Sequence, residues 1–69
     1  MEVTAELVQA RHAERVELSA GATGFDLFRR LGLAPDAHLL LRGDAPIPLD
    51  EPLLEEEHLR ILSVVSGGS

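Results

Sequence analysis

The residues best suited to chemistry in this 69-residue chain are two glycines. Gly67 and Gly68 follow the apolar run LRILSVV, with Ser66 before them and Ser69 after. A glycine has no Cβ, so a diglycine can extend through a channel that any side chain would block. A free glycine carboxylate is also the least hindered acyl group a protein can present. Once activated, it accepts attack by a thiolate, a persulfide or an amine. Gly/Ser runs are equally the usual composition of a flexible linker. The position directly after a strand-like run is what favours the chemical reading.

Other candidates are weaker. His12 falls in a turn, and His38 and His58 each at a strand start; no pair has i,i+4 spacing on a helix, and there is no cysteine to join them. A zinc site is not expected from such a set, and no metal site is assigned. Glu55-Glu56-Glu57 could serve acid/base or cation chemistry only if the carboxylates converged, and three consecutive ones read instead as a solvated loop. No serine has the flanking pattern of a hydrolase nucleophile. The remaining glycines are scattered at turns and caps, so no phosphate loop is formed. The chain is therefore not expected to be an enzyme, nor to hold a bound cofactor.

The totals agree with one small domain. Twelve acids against six arginines give a formal charge of −6. That balance argues against direct nucleic-acid binding and for a basic partner. No apolar run has membrane-spanning length. The start, Met1-Glu2-Val3, lacks the features of a signal peptide, so a cytoplasmic protein is expected. Lysine is absent. Chemistry that joins proteins through lysine could use this chain as donor but hardly as acceptor.

The elements that must position the glycines follow from hydrophobic periodicity. Met1, Val3, Ala5 and Leu7 alternate with polar residues as a half-buried strand. QARHAE reads as a turn, and Val16 and Leu18 belong to a second strand that completes a hairpin. Residues 23–31 form the one good helix. Thr23 is its N-cap, Asp26 closes a capping box, and Gly32 is the left-handed stop before Pro35. Leu27, Phe28 and Leu31 share its apolar face, with Phe25 at the border, while Asp26, Arg29 and Arg30 lie opposite. HLLLRGD is a third strand ending in a Gly43-Asp44 turn. APIPLD holds only a short edge strand, because Pro46 and Pro48 cannot donate to a ladder. EPLLEEE is a connecting loop and HLRILSVV the last strand. Strands split around one helix predict an α+β layer architecture, a mixed sheet with the helix on one face. The expected core is Val3, Ala5, Val16, Leu18, Leu27, Phe28, Leu31, Leu39, Leu41, Leu59 and Ile61. Residues 1–65 are read as the domain and 66–69 as a flexible diglycine tail.

Within this layout, LRILSVVSGG resembles the C-terminus of the ubiquitin-like β-grasp sulfur carriers of thiamine, molybdopterin and tRNA-thiolation pathways. The likeness runs through the helix, the LGL stop, the strand with its Gly turn and the loop before the last strand. Leu41-Arg42-Gly43 and LSVVSGG are most similar to the bacterial carriers for 2-thiouridine-type tRNA modification. The resemblance implies that Gly68 is the acyl group. An adenylating enzyme of the ubiquitin-E1 type would activate its carboxylate with ATP and magnesium. A cysteine desulfurase or rhodanese-type donor would supply persulfide sulfur to make a thiocarboxylate, and a sulfur-accepting enzyme such as a tRNA thiolase would take it. Alternatives within the resemblance are a thiamine or molybdopterin carrier and a protein modifier that forms isopeptide conjugates.

Two positions depart from the family pattern. Ser69 follows the second glycine, and while it remains Gly68 is an internal residue that cannot be adenylated. Either a peptidase removes it, as in ubiquitin-like precursors, or it is an addition to the natural chain. EEEH stands where many relatives have a Gly-Asp turn. Finally, if Leu59 and Ile61 face inward, Arg60, Leu62 and Val64 face outward. With Leu39 and Leu41 also inward, Leu40 would join them in an apolar docking patch for the activating enzyme.

Overall fold

The computed structural model describes residues 1–64. Strands β1 (Glu2–Leu7) and β2 (His12–Glu17) are followed by helix α1 (Gly24–Leu31), a short 3-10 helix (Pro35–Ala37), then β3 (His38–Arg42), β4 (Ala45–Ile47) and β5 (His58–Ser63). The sheet order is β2-β1-β5-β3-β4. β1 pairs with β5 in parallel, and the other three pairs are antiparallel. This is the β-grasp arrangement expected from the sequence: a mixed sheet with one main helix against it.

The helix forms where its end signals lie. Asp26 Oδ2 accepts from the Thr23 backbone N–H at 2.9 Å, which satisfies a donor the helix cannot use and places a carboxylate at its positive end. At the other end Gly32 adopts φ 72°, where a Cβ would be strained. Its N–H reaches Arg29 O, and Leu33 N–H reaches Phe28 O at 2.9 Å, which closes a Schellman turn. The apolar face then packs into one cluster with the sheet. Phe28, Leu27, Leu40, Leu59, Ile61 and Val3 are its largest fully buried side chains. Each such side chain contributes about 1.5–3 kcal/mol over leaving it in water. Gly24 sits tightly against β3 and the loop after β4: a Cβ there would stand 2.6 Å from Leu40 Cδ2 and 3.0 Å from Leu49 O.

Val3, Ala5, Val16, Leu18, Leu27, Phe28, Leu59 and Ile61 are core residues as expected, and Ala22 and Leu53 join them. Leu31 is only half-buried against that cluster. Strand β3 corrects the expected facing. Leu40 is inside at 1% exposure, while Leu39 is outside at 43%. Three successive leucines fit either parity, so the apolar pattern could not choose, and a one-residue shift reverses every side chain. The pairing chooses: Leu40 is opposite Ile61 and Arg42 opposite Leu59. Arg42 then reaches the loop before β5, where Glu57, Glu51 and the Pro52 carbonyl accept its guanidinium. Leu41 is also buried, but on the outer side of the sheet, apart from the main cluster.

Two local expectations also change. The first hairpin turn is tighter than QARHAE suggested, and His12 opens β2 instead of lying in the turn. Arg11 takes φ 52° to close it, with its N–H on Val8 O. The loop before β5 does more than connect. Glu56 N–H donates to Glu2 O at 2.7 Å and Thr4 N–H to Glu57 O at 2.8 Å, which extends the ladder along β1.

Candidate functional site

Strand β5 lies at the centre of the sheet, with β1 on one side and β3 on the other. Its odd-numbered residues Leu59 and Ile61 are sealed in the core. Arg60, Leu62 and Val64 therefore share the outer face. On β3 the same face carries Leu39, directly opposite Leu62, and Leu41, directly opposite Arg60. Leu39 is 43% and Val64 39% exposed, and Leu62 is half-buried. The apolar patch leading toward the diglycine is therefore Leu39, Leu62 and Val64. Leu40, expected in it, is a core residue. The outward facing of Arg60, Leu62 and Val64 on β5 is as expected, and the outward leucine of β3 beside them is Leu39 instead of Leu40.

Charged side chains border the patch. Arg60 lies 3.9 Å from Glu6 and 3.5 Å from Asp44, both loose contacts, so its guanidinium keeps capacity for another acceptor. His58 Nε2 lies 3.1 Å from the same Glu6 carboxylate. Further along the outer face, Arg15 is held by Glu2 and by both oxygens of Glu56. Its hydrogen bonds, first to Glu2 and then to Glu56, push its pKa further above the ordinary arginine value.

The three glutamates before β5 do not converge. Glu55 accepts from the Glu2 N–H, Glu56 binds Arg15, and Glu57 binds Arg42. Glu57 is the most enclosed, its side chain 8% exposed. Burial works against its charge, but the Arg42 guanidinium and the Leu54 N–H outweigh that and hold its carboxyl below the usual range. The histidines are equally dispersed. His12 pairs with Glu14, His58 with Glu6, and His38 binds Ala34 O with its ring edge-on to Phe28. Among the described residues no His, Cys, Asp or Glu cluster could hold a metal ion.

The expected acyl residue Gly68, its neighbours Ser66 and Gly67, and the processing position Ser69 lie outside the described residues. The described chain ends with Ser63 and Val64 bonded on opposite sides. Val64 N–H donates to Ala37 O at 2.8 Å on the β3 side. On the β1 side, the Gln9 side chain accepts from Ser63 N–H at 3.0 Å and donates to Ser63 O at 2.9 Å. Sequence reasoning did not single out Gln9, because its partner is 54 residues away and a glutamine after a strand carries no local signal. Beside it is an apolar pocket of about 250 Å³ between Leu7, Gln9, Ala10, Leu33, His38, Ile61 and Ser63. Among the described residues no helix is long and apolar enough to cross a membrane.

Two comparisons with known proteins bear on the family of the chain. Residues 1–65 match the family model described as small archaeal modifier protein 2. A relative, the sulfur carrier protein TtuB of Thermus thermophilus, is 31% identical over 55 residues, covering 80% of this chain and 85% of that protein.

Proposed function

Because this chain belongs to the ubiquitin-like sulfur-carrier family, close to the carriers of tRNA thiouridine synthesis, we propose that it carries sulfur on the carboxyl group of Gly68 for tRNA thiolation. Members of this family are small carriers and not enzymes. The observation that carries the reading is the course of β5. It anchors in the core through Leu59 and Ile61 and runs beside an exposed apolar face toward the diglycine. A partner that docks on that face would receive the chain end in a fixed direction.

The proposed chemistry begins with hydrolysis of the Gly68–Ser69 peptide bond by a peptidase, in which water adds to the Gly68 carbonyl to leave a free carboxylate and Ser69 departs with its amine. The freed carboxylate attacks the α-phosphorus of ATP on an E1-like partner, and pyrophosphate leaves with its magnesium. The terminal sulfur of a persulfide then attacks the acyl adenylate and AMP leaves, giving an acyl disulfide. A second thiolate attacks the donor's sulfur in that disulfide, which releases the thiocarboxylate and a new disulfide. ATP and magnesium belong to the partner in this scheme. Leu39, Leu62 and Val64 form the docking patch with Arg60 at its border. Arg60 would meet an acidic group of the partner, and the carrier's surplus of acids a basic one.

A second reading, attachment to other proteins through an isopeptide bond, is favoured by two observations: the matched family is described as a modifier, and the chain has no lysine on which copies of itself could be built. Mass spectrometry of the protein recovered from its own cells separates the two. A carrier shows one oxygen of Gly68 replaced by sulfur. A modifier appears in adducts of larger mass. A Gly68 carboxylate that stays unmodified in cells active in tRNA thiolation counts against both.

A further inference from the structure

We propose that Gln9 is a positioning residue that holds the end of β5 in register, so that the chain leaves the sheet toward the activating site in one direction. The inference rests on the proposed carrier function and adds a residue to it.

Alternate residues of a central strand address alternate neighbours. Val64 turns its backbone N–H to β3, where Ala37 O accepts it at 2.8 Å. Ser63 turns to the β1 side. β1, however, ends at Leu7, and its last backbone bond to β5 is Val8 N–H to Ile61 O at 3.1 Å. Beyond Val8 the chain turns away toward β2. The Ser63 N–H and C=O would then have only water on that side. The Gln9 amide fills the gap. Its Oε1 accepts from Ser63 N–H and its Nε2 donates to Ser63 O, so one side chain supplies the acceptor and the donor that two further residues of a parallel β1 would offer. With Gln9 in place, β5 is held from both sides at Ser63, two residues beyond Ile61, where the last backbone bond from the β1 side falls. Without it, the strand is held from one side at the point where the chain continues toward the diglycine.

These bonds are exposed, so water replaces them at little cost to global stability. Their loss is local. Opening of Ser63 should become about tenfold more frequent, the scale of the net worth of such hydrogen bonds. Orientation of a reacting group is worth large factors in rate, so a frayed strand end should slow delivery of Gly68 while leaving the docking face intact.

The test uses the chain ending at Gly68, with Gln9→Ala and Gln9→Glu. The glutamate keeps the acceptor for Ser63 N–H and loses the donor to Ser63 O. Amide hydrogen exchange by NMR is read at Ser63 and Val64, with the thermal midpoint as control. ATP–pyrophosphate exchange with the E1-like partner gives kcat and the KM for the carrier. Gln9→Ala should raise Ser63 exchange about tenfold and lower kcat several-fold. KM and the thermal midpoint should stay nearly unchanged, and Gln9→Glu should fall between. Unchanged Ser63 exchange overturns the proposal, as does raised exchange with unchanged kcat. If the parent chain is itself not adenylated, the carrier reading fails and the role in adenylation with it. The exchange result then still decides whether Gln9 holds the strand end.

Discussion

Aspartate placed at Leu39 and at Leu40 should give opposite kinds of damage, although the two residues are neighbours. Leu40 is 1% exposed and lies against Ile61 in the core cluster. Leu40→Asp forfeits about 1.5–3 kcal/mol of apolar burial. It also buries a carboxyl group with no partner, at about 1–3 kcal/mol even when the group takes up a proton. The sum, about 2.5–6 kcal/mol, is comparable with the whole stability of a domain this size, about 3–10 kcal/mol at the usual value per residue. Leu39 is 43% exposed, so Leu39→Asp removes about half as much burial and lets the charge stay in water, for about 1 kcal/mol. Urea unfolding followed by far-ultraviolet circular dichroism measures both; fluorescence does not serve, because the chain has no tryptophan or tyrosine. Leu39→Asp should unfold cooperatively near the parent midpoint, and Leu40→Asp should be largely unfolded without urea. Under the proposed function the folded Leu39→Asp should lower ATP–pyrophosphate exchange about tenfold, because an unpaired carboxylate in an apolar contact costs about 1–3 kcal/mol. Equal destabilisation by the two variants would refute the facing of β3. A folded Leu39→Asp with undiminished exchange would refute the docking face.

The chain ending at Gly68 should form the thiocarboxylate with an E1-like enzyme, ATP and a sulfur donor, and the chain retaining Ser69 should not when peptidase is absent; equal yields with Ser69 still attached would refute Gly68 as acyl donor. Gly68→Ala in the shorter form should lose most of the yield. Glu57 has a folded pKa below the ordinary 4.5, so the unfolded chain binds its proton more readily and Glu57 stabilises the fold above that pH. That contribution should disappear as the pH falls below about 4.5 through the folded value, and Glu57→Gln should flatten the thermal midpoint over that range; an identical pH profile for both proteins would deny the Glu57–Arg42 pair that role. Gly24→Ala should destabilise by about 1–3 kcal/mol through overpacking against Leu40 and Leu49, read as a lower urea midpoint.

Much of the architecture was legible because each element carries its own signal. Alternation marked β1, the capping residues and Gly32 bounded α1, and the prolines confined β4 to an edge. The helix face and the inward residues of β5 followed from period alone. The facing of HLLLR did not, because a run of leucines satisfies both sides of a sheet. That choice is made by pairing with β5 and by the reach of Arg42 to Glu57, both distant in sequence. Gln9 was hidden for the same reason. Its side chain completes a backbone ladder, and nothing in its neighbours says which backbone. The reading of the diglycine rests on what glycine lacks and falls outside the described residues.

The central place of β5 sets an order on events during synthesis. β1 with β2, and β3 with β4, are hairpins of near neighbours and can pair as soon as each is made. In the sheet the two hairpins are joined through residues 58–63, which pair between them. The parallel β1–β5 pairing also closes almost the whole chain into one loop, a step with a large entropy cost that local pairing does not share. Leu39 gains its neighbour Leu62 only at that moment. A chain interrupted before residue 58 therefore offers neither the apolar face nor the diglycine, and a full-length chain that fails to close offers the diglycine alone. Under the proposed function, a partner that requires both would read completion of the fold before it commits ATP.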